Sequence, residues 1–354
     1  VLVALQQLAT HHRRQLRIPF IAITGSNGKT TTKELVSAVL RTRYRTYTTA
    51  GNLNNHIGVP LTILGIRNDA EIAVIEMGAN HLHEIEAYCR IALPTHGIIT
   101  NCGKAHIEGF GSEAGVRQGK GELYDFIREH EGTIFRNTDL PYLEEMAHGI
   151  RQQVTYGMQQ AQYTGRPLMD GVFLQVELES PLSMHIPTRL VGDYNFANVM
   201  TAAATGLHLG VPADQVRAAI EAYEPDNSRS QWLHKGSNAV ILDAYNANPT
   251  SMAAAIRNFA AAPLERKMLW IGAMKEMGET SRREHEALVT LITQYEWSEV
   301  ILVGKEFSDV AKDYRHFEDA NAAATYIREH RPEQASILIK GSRGSRMELL
   351  LDAL

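Results

Sequence analysis

The chain reads as an α/β protein in two parts. The first is a central domain on a mostly parallel sheet with a small antiparallel β region. The second is a Rossmann-like α/β domain at the C-terminus. Three observations carry this reading. Short apolar runs, of the kind a strand buried on both faces needs, alternate with amphipathic helical stretches. One of those runs breaks into a Gly-containing turn and then a helix, at Gly25-Ser-Asn-Gly28-Lys29-Thr30. The alternation lapses at a polar, Pro-containing stretch, Glu224-Pro-Asp-Asn-Ser228, and then restarts.

In chain order, strands are expected at Phe20–Thr24, Ile72–Glu76 and Gly97–Thr100, and helices at Thr31–Thr42, His83–Leu93, Gly115–Glu129 and Leu140–Ile150. From Val154 to Val191 the runs shorten and alternate, as in Val172-Phe-Leu-Gln-Val-Glu-Leu178, which predicts a small, mainly antiparallel β region. Two helices follow, Asn195–Leu209 and Ala213–Ala222, split by Gly210-Val-Pro212. After the linker come strand Ala239–Asp243, helix Ser251–Ala261, strand Met268–Ile271, helix Arg282–Tyr295, strand Glu299–Val303, helix Asn321–His330 and strand Ser336–Ile339. The domain division is therefore expected at residues 1–226 and 227–354.

The 354 residues are enough for two or three domains, each with its own core. Apolar content of 44% and charged content of 21% are ordinary for a soluble protein, and a net charge of −5 argues against a generic nucleic-acid binder. Only Cys89 and Cys102 occur, without a CxxC pair, which argues against a disulfide framework or a zinc site and fits a cytoplasmic setting. No run approaches the roughly 18 to 20 apolar residues of a membrane span. The chain opens on Val1 rather than Met, so a preceding segment is expected.

A strand that delivers a tight turn to a helix N-terminus aims several backbone N–H groups and the positive end of the helix dipole at one point, which suits a polyphosphate. Thr24, Gly25, Ser26, Asn27, Gly28, Lys29, Thr30 and Thr31 form that segment, with Ile23 where the general pattern has a leading Gly. Lys29 is expected to reach the terminal phosphates and Thr30 to offer its hydroxyl to Mg²⁺. Glu76 ends a buried-looking strand, so in a parallel sheet it faces the same crevice, where a carboxylate binds Mg²⁺ directly or through water. His106 follows a third strand in a Gly-rich loop, and its chemistry fits either a metal ligand or a phosphate contact.

Gly51-Asn-Leu-Asn-Asn-His56 fits polar recognition or local turn capping. Asn195 and Asn198 share one helix face, and capping accounts for only one of them. Beyond the linker, Asp243 and Asn246 follow a strand, Arg229 is a cation free to swing onto phosphate as domains close, and Lys340-Gly-Ser-Arg343 is another strand-to-turn segment.

Thr24-Gly-Ser-Asn-Gly-Lys-Thr30, Glu76-Met-Gly-Ala-Asn-His81, Asn101-Cys-Gly-Lys-Ala-His106 and Asp243-Ala-Tyr-Asn-Ala-Asn-Pro249 together resemble the Mur ligase family, in the right order and over nearly the whole chain. Within it the resemblance is to the members that join D-alanyl-D-alanine to UDP-N-acetylmuramoyl-tripeptide at the expense of ATP. It implies a P-loop-type ATPase domain using ATP and Mg²⁺, with Lys29 and Thr30 on the phosphates and metal and Glu76 as a metal ligand. His106 is implied at a second Mg²⁺, together with Lys120 as a carbamylated lysine. Asn198 is implied as an adenine contact, Arg229 as a phosphate contact, Asp243 and Asn246 as nucleotide contacts, and Lys340–Arg343 as the segment meeting the amino substrate.

The family motif matched by Gly272-Ala273-Met-Lys-Glu-Met-Gly278 usually carries Asp at the position of Ala273. The family also has an N-terminal domain that grips the UDP sugar, and the resemblance here covers only the central and C-terminal domains. A monomer is expected. The rival readings are another amide ligase of the superfamily, such as folylpolyglutamate synthase or a cyanophycin-synthetase-like protein, and a nucleotide-binding module without catalysis.

Overall fold

Two sheets carry the chain in a computed structural model that describes residues 1–168, 171–226 and 228–354. The first contains β1 (Phe20–Thr24), β2 (Thr46–Thr48), β3 (Ile72–Glu76), β4 (His96–Ile99), β5 (Thr133–Asn137), β6 (Gln152–Gly157), β7 (Tyr163–Leu168), β8 (Phe173–Ser180) and β9 (Met184–Val191). Their order is β2-β3-β1-β4-β5-β6-β7-β8-β9. Pairing is parallel from β2 to β7 and antiparallel from β7 to β9. β1 and β3 are buried along their whole length, which is why they read as continuous apolar runs. β8 buries alternate residues, the mark of a strand with one wet face.

The second sheet contains β10 (Gln231–Lys235), β11 (Asn238–Asp243), β12 (Lys267–Gly272), β13 (Glu299–Val303), β14 (Arg315–Phe317) and β15 (Ser336–Lys340), in the order β10-β11-β15-β12-β13-β14. Only the β10–β11 pair is antiparallel. Helices cover both faces of each sheet, giving two apolar layers per sheet. The expected division at 226/227 meets residue 227, which lies outside the described residues, as does part of the linker 224–228. The sheets themselves fall on either side of that stretch.

The antiparallel strands expected between 154 and 191 are present as β7–β9 and extend the first sheet. Several elements differ from expectation. The helix expected over 140–150 is only Pro141–Met146, because Pro starts it and Gly149 at φ +83° lies in the chain reversal after it. The helix after the turn begins at Lys29, with Gly28 left-handed at its N-cap. β2, β5, β10 and β14 went unforeseen. β2 and β14 are three residues long, and β5 mixes Ile134 and Phe135 with polar neighbours.

One contact fixes how the nucleotide-side helices sit. Helix Phe196–His208 crosses helix Lys29–Arg41 so closely that a Cβ on Gly206 would lie 2.3 Å from Val39 Cγ1. Gly206→Ala is therefore expected to destabilise the chain by about 1–3 kcal/mol, measured by denaturant unfolding, because a packed helix pair must separate.

A second prediction concerns acid. His96 stacks on Phe135 at the start of β4, and burial, followed by nearby His208, pushes its pKa from 6.5 down to about 4. The folded state thus resists a proton that the unfolded chain accepts. This contribution is complete above pH about 6.5 and is lost as pH falls toward 4. His96→Gln is expected to flatten the decline in melting temperature between pH 7 and pH 5, read by circular dichroism.

Candidate active site

In the first sheet β1 lies between β3 and β4, so the connections leaving its C-terminal end diverge and open a crevice there. The turn that fills it has little room. Gly25 sits at φ +142° and Gly28 at φ +79°. A Cβ on Gly25 would come 2.0 Å from Thr100 Oγ1, and one on Gly28 would come 2.6 Å from Asn198 Oδ1.

The segment after β4 pins the turn from outside. Thr100 Oγ1 and Asn101 Nδ2 donate to Asn27 O at 2.7 and 3.0 Å, and Asn27 N donates to Asn101 Oδ1 at 3.0 Å. Lys29 Nζ folds back to donate to Gly25 O at 2.7 Å and Ser26 O at 3.2 Å. Burial lowers its pKa to about 8, with Glu76 opposing the shift and Arg229 adding to it. Thr24 itself is buried at the strand end, outside the cleft, and its hydroxyl has no hydrogen-bond partner.

Glu76, 1% exposed, ends β3 beside this turn. Its Oε1 accepts from Thr30 Oγ1 at 3.1 Å and from Asn54 Nδ2 at 2.7 Å. Its Oε2 is buried without a hydrogen bond, with Lys33 Nζ 3.9 Å away. A buried carboxylate oxygen lacking a partner is costly. Mg²⁺ takes oxygen ligands, commonly one or two carboxylates with waters and substrate phosphates, so Glu76 and Thr30 fit such an ion. No group of three His, Cys, Asp or Glu side chains suited to a metal occurs among the described residues, so the metal would need ligands from the substrate as well.

Lys120 lies one layer behind. It is 1% exposed, donates Nζ to Ala79 O at 2.9 Å and sits 4.9 Å from the Phe110 ring centre. Burial, then the charge of Lys29, lowers its pKa to about 7. His106 reaches the cleft from the following loop, but its Nδ1 contacts Glu276, not Glu76 or Lys120.

The C-terminal edge of the second sheet closes the other side. Asp243 ends β11 and Lys340 ends β15, opposite each other in register, and they form an ion pair. The Arg229 guanidinium stacks 3.7 Å from the Tyr245 ring centre, with that of Arg343 5.5 Å from the same centre. Asn246 Oδ1 accepts from Ala247 N. Asn198 accepts from Thr32 Oγ1 at 3.0 Å and donates to Asn195 Oδ1 at 2.9 Å, so the second Asn of the pair braces the first. Asn248 Nδ2 donates to Asn27 Oδ1 at 2.7 Å, tying the two sheet edges together.

The cleft has a volume of about 700 Å³, within the range of small-molecule sites. Ser26 through Thr31, Glu76, His106, Asn198, Arg229, Asp243 and Asn246 all line it, whereas Thr24, Gly25 and Lys120 do not. Asn54, Lys33, Tyr245 and Glu276 were not singled out from the sequence. Asn54 stands in the Asn-rich loop that was, but nothing local showed that it meets Glu76.

Ala273 is fully buried after β12, where a Cβ on Gly304 would approach its own Cβ to 2.7 Å. The small residue is thus matched by a close neighbour. No helix of the described residues is long and apolar enough to cross a membrane.

Comparison with known proteins agrees with this architecture. The Mur ligase middle domain matches residues 23–206, and the Mur ligase glutamate ligase domain matches residues 228–343. The chain is 34% identical over 365 residues to the UDP-N-acetylmuramoyl-tripeptide–D-alanyl-D-alanine ligase of Bacillus subtilis, covering 98% of this chain and 78% of that protein. It is 33% identical to the enzyme of the same name from Escherichia coli, covering 99% and 80%. The crystal structure of MurF from Acinetobacter baumannii superposes with a TM-score of 0.91 at 30% identity, over 99% of this chain and 80% of that one.

Proposed function

This chain belongs to the Mur ligase family, and we propose the residue roles by which it carries out that family's chemistry. It is an ATP-dependent ligase that uses Mg²⁺ and joins D-alanyl-D-alanine to UDP-N-acetylmuramoyl-tripeptide in peptidoglycan precursor synthesis. The observation that carries the assignment of roles is the shared cleft. A phosphate-binding turn and a buried carboxylate on one sheet edge face Arg229, Asp243 and Lys340 on the other.

ATP would lie along Ser26–Thr31, with the backbone N–H groups of the turn and helix on its phosphates. Lys29 leaves the carbonyls of Gly25 and Ser26 for the terminal phosphates, and Arg229 leaves the Tyr245 ring to join it. Asn198, Asp243 and Asn246 contact the nucleoside. Thr30 and Glu76 would hold Mg²⁺, and His106 with Lys120, once carbamylated, would serve a second ion. Bound Mg²⁺ neutralises phosphate charge that would repel the incoming carboxylate.

The tripeptide carboxylate attacks the γ-phosphorus, giving an acyl phosphate and ADP. The dipeptide amine, having lost its proton, attacks the acyl carbon, and phosphate leaves as the amide forms. Closure of the second sheet over the first excludes water that would hydrolyse the acyl phosphate. The Lys340–Arg343 segment lines the side from which the amine arrives. We further assign residues 1–226 and 227–354 as the two domains, a cytoplasmic setting consistent with two buried free cysteines, and a monomer.

Phosphate release from ATP and Mg²⁺ is expected only when the UDP-linked tripeptide and the dipeptide are both present. Lys29→Ala is expected to lower it at least about a hundredfold, the scale of removing one transition-state charge contact. Release that ignores the dipeptide, or none despite measurable ATP binding, would overturn the reading.

A second test addresses Lys120. With a pKa of about 7, its amine is largely neutral above that pH and able to take up CO₂. A ¹³C carbamate resonance is expected to grow from pH 6.5 to 8.5 under labelled bicarbonate and to be missing in Lys120→Arg.

A further inference from the structure

Around His106 the two halves of the chain touch through a pair of loops. The first runs from Asn101 to Ser112 after β4, and the second from Ala273 to Thr280 after β12. His106 Nδ1 meets a carboxylate oxygen of Glu276. Nearby, Lys104 Nζ lies 3.3 Å from Glu284 Oε1, and a Cβ on Gly278 would be 3.6 Å from Glu108 Cβ. Both partners of the His106–Glu276 contact hold left-handed backbones, at φ +53° and +62°. Non-glycine residues adopt that region at a cost, and surrounding structure must impose it. His106 keeps 20% of its side-chain surface exposed and Glu276 57%, so burial does not impose the pairing.

The tautomer follows from the chemistry of the pair. A carboxylate accepts hydrogen bonds, so in its contact with Glu276 the His106 Nδ1 is the donor and carries the hydrogen. Nε2 then holds the lone pair, and it has no hydrogen bond among the described residues. Histidines that bind metals through one nitrogen commonly donate the other N–H to a carboxylate, which fixes the ring and raises its basicity. In this chain the carboxylate comes from the opposite half of the molecule, three residues beyond Ala273.

We propose that Glu276 is a positioning residue for His106, whose carboxylate engages Nδ1 only when the C-terminal domain closes and so turns Nε2 into a metal-binding nitrogen at that moment. Closure and metal affinity are then one coupled step. An open chain holds the second ion weakly, and a closed one holds it firmly. This inference rests on the reading of His106 as a metal ligand.

The test uses the whole chain saturated with ADP. Long-range ¹H–¹⁵N spectra of ¹⁵N-histidine-labelled protein report the His106 tautomer, with the resonance assigned through His106→Gln. Calorimetry reports Mg²⁺ affinity. The wild type is expected to show hydrogen on Nδ1. Glu276→Ala is expected to move it to Nε2 and to weaken Mg²⁺ binding by about 10–100-fold. Glu276→Gln still offers a carbonyl acceptor and is expected to keep the Nδ1 hydrogen. Glu276 is largely exposed, so both variants are expected to melt with the wild type.

An unchanged tautomer in Glu276→Ala, or unchanged Mg²⁺ affinity in that variant, would overturn the proposal. Neither readout requires turnover. Failure here leaves the phosphate-release result standing, and failure of the ligase reading does not alter the tautomer.

Discussion

The turn between Gly25 and Gly28 is the reference point for the rest of the site, because it is wedged between strand β4's continuation and helix Phe196–His208 with no space for a side chain at either glycine. Thr100 and Asn101 hold it on one side and Asn198 abuts it on the other. Asn248, from the second sheet, holds Asn27 across the cleft. Binding phosphate through backbone N–H groups demands such rigidity, since amide groups that move must be ordered again at each binding event. The same wedge fixes where Thr30 meets Glu76.

Four cations in the cleft or behind its wall are each held by a group of the protein. Lys29 rests on the carbonyls of its own turn, Lys120 on Ala79 O, Lys340 on Asp243 and Arg229 on the Tyr245 ring. Buried or crowded charge without a partner is strongly unfavourable, so these resting contacts keep the free enzyme stable. Glu76 is the exception. One of its oxygens has two donors and the other has none, while Lys33 stays just beyond hydrogen-bonding reach. That imbalance marks the side of the carboxylate on which a cation completes the shell.

Domain contact and chemistry are linked through few side chains. Asn27 with Asn248, His106 with Glu276 and Lys104 with Glu284 join loops that each belong to a different sheet. These contacts are polar, as interfaces between domains of one chain commonly are.

The sequence by itself determined the two α/β layers, the boundaries of the buried strands and the polyphosphate turn, because burial on both faces forces continuous apolar runs and tight turns force glycine. Phe20–Thr24, Ile72–Glu76 and Glu299–Val303 were legible to the residue for that reason. β5 and β10 were not, since their polar residues carry no clear period, and edge or part-buried strands need none. Lys29, Thr30, Glu76 and Asp243 were candidates because they stand at a strand end or a helix entry, and all four line the cleft.

Only the tertiary structure decided which of them touch. It joined Asn54 to Glu76 across 22 residues and His106 to Glu276 across 170, and set Lys120 behind the cleft wall instead of in it. Such pairings arise from strand order and from the way one sheet edge faces the other. Local periodicity, which reports only the burial of a residue's own element, contains no record of them.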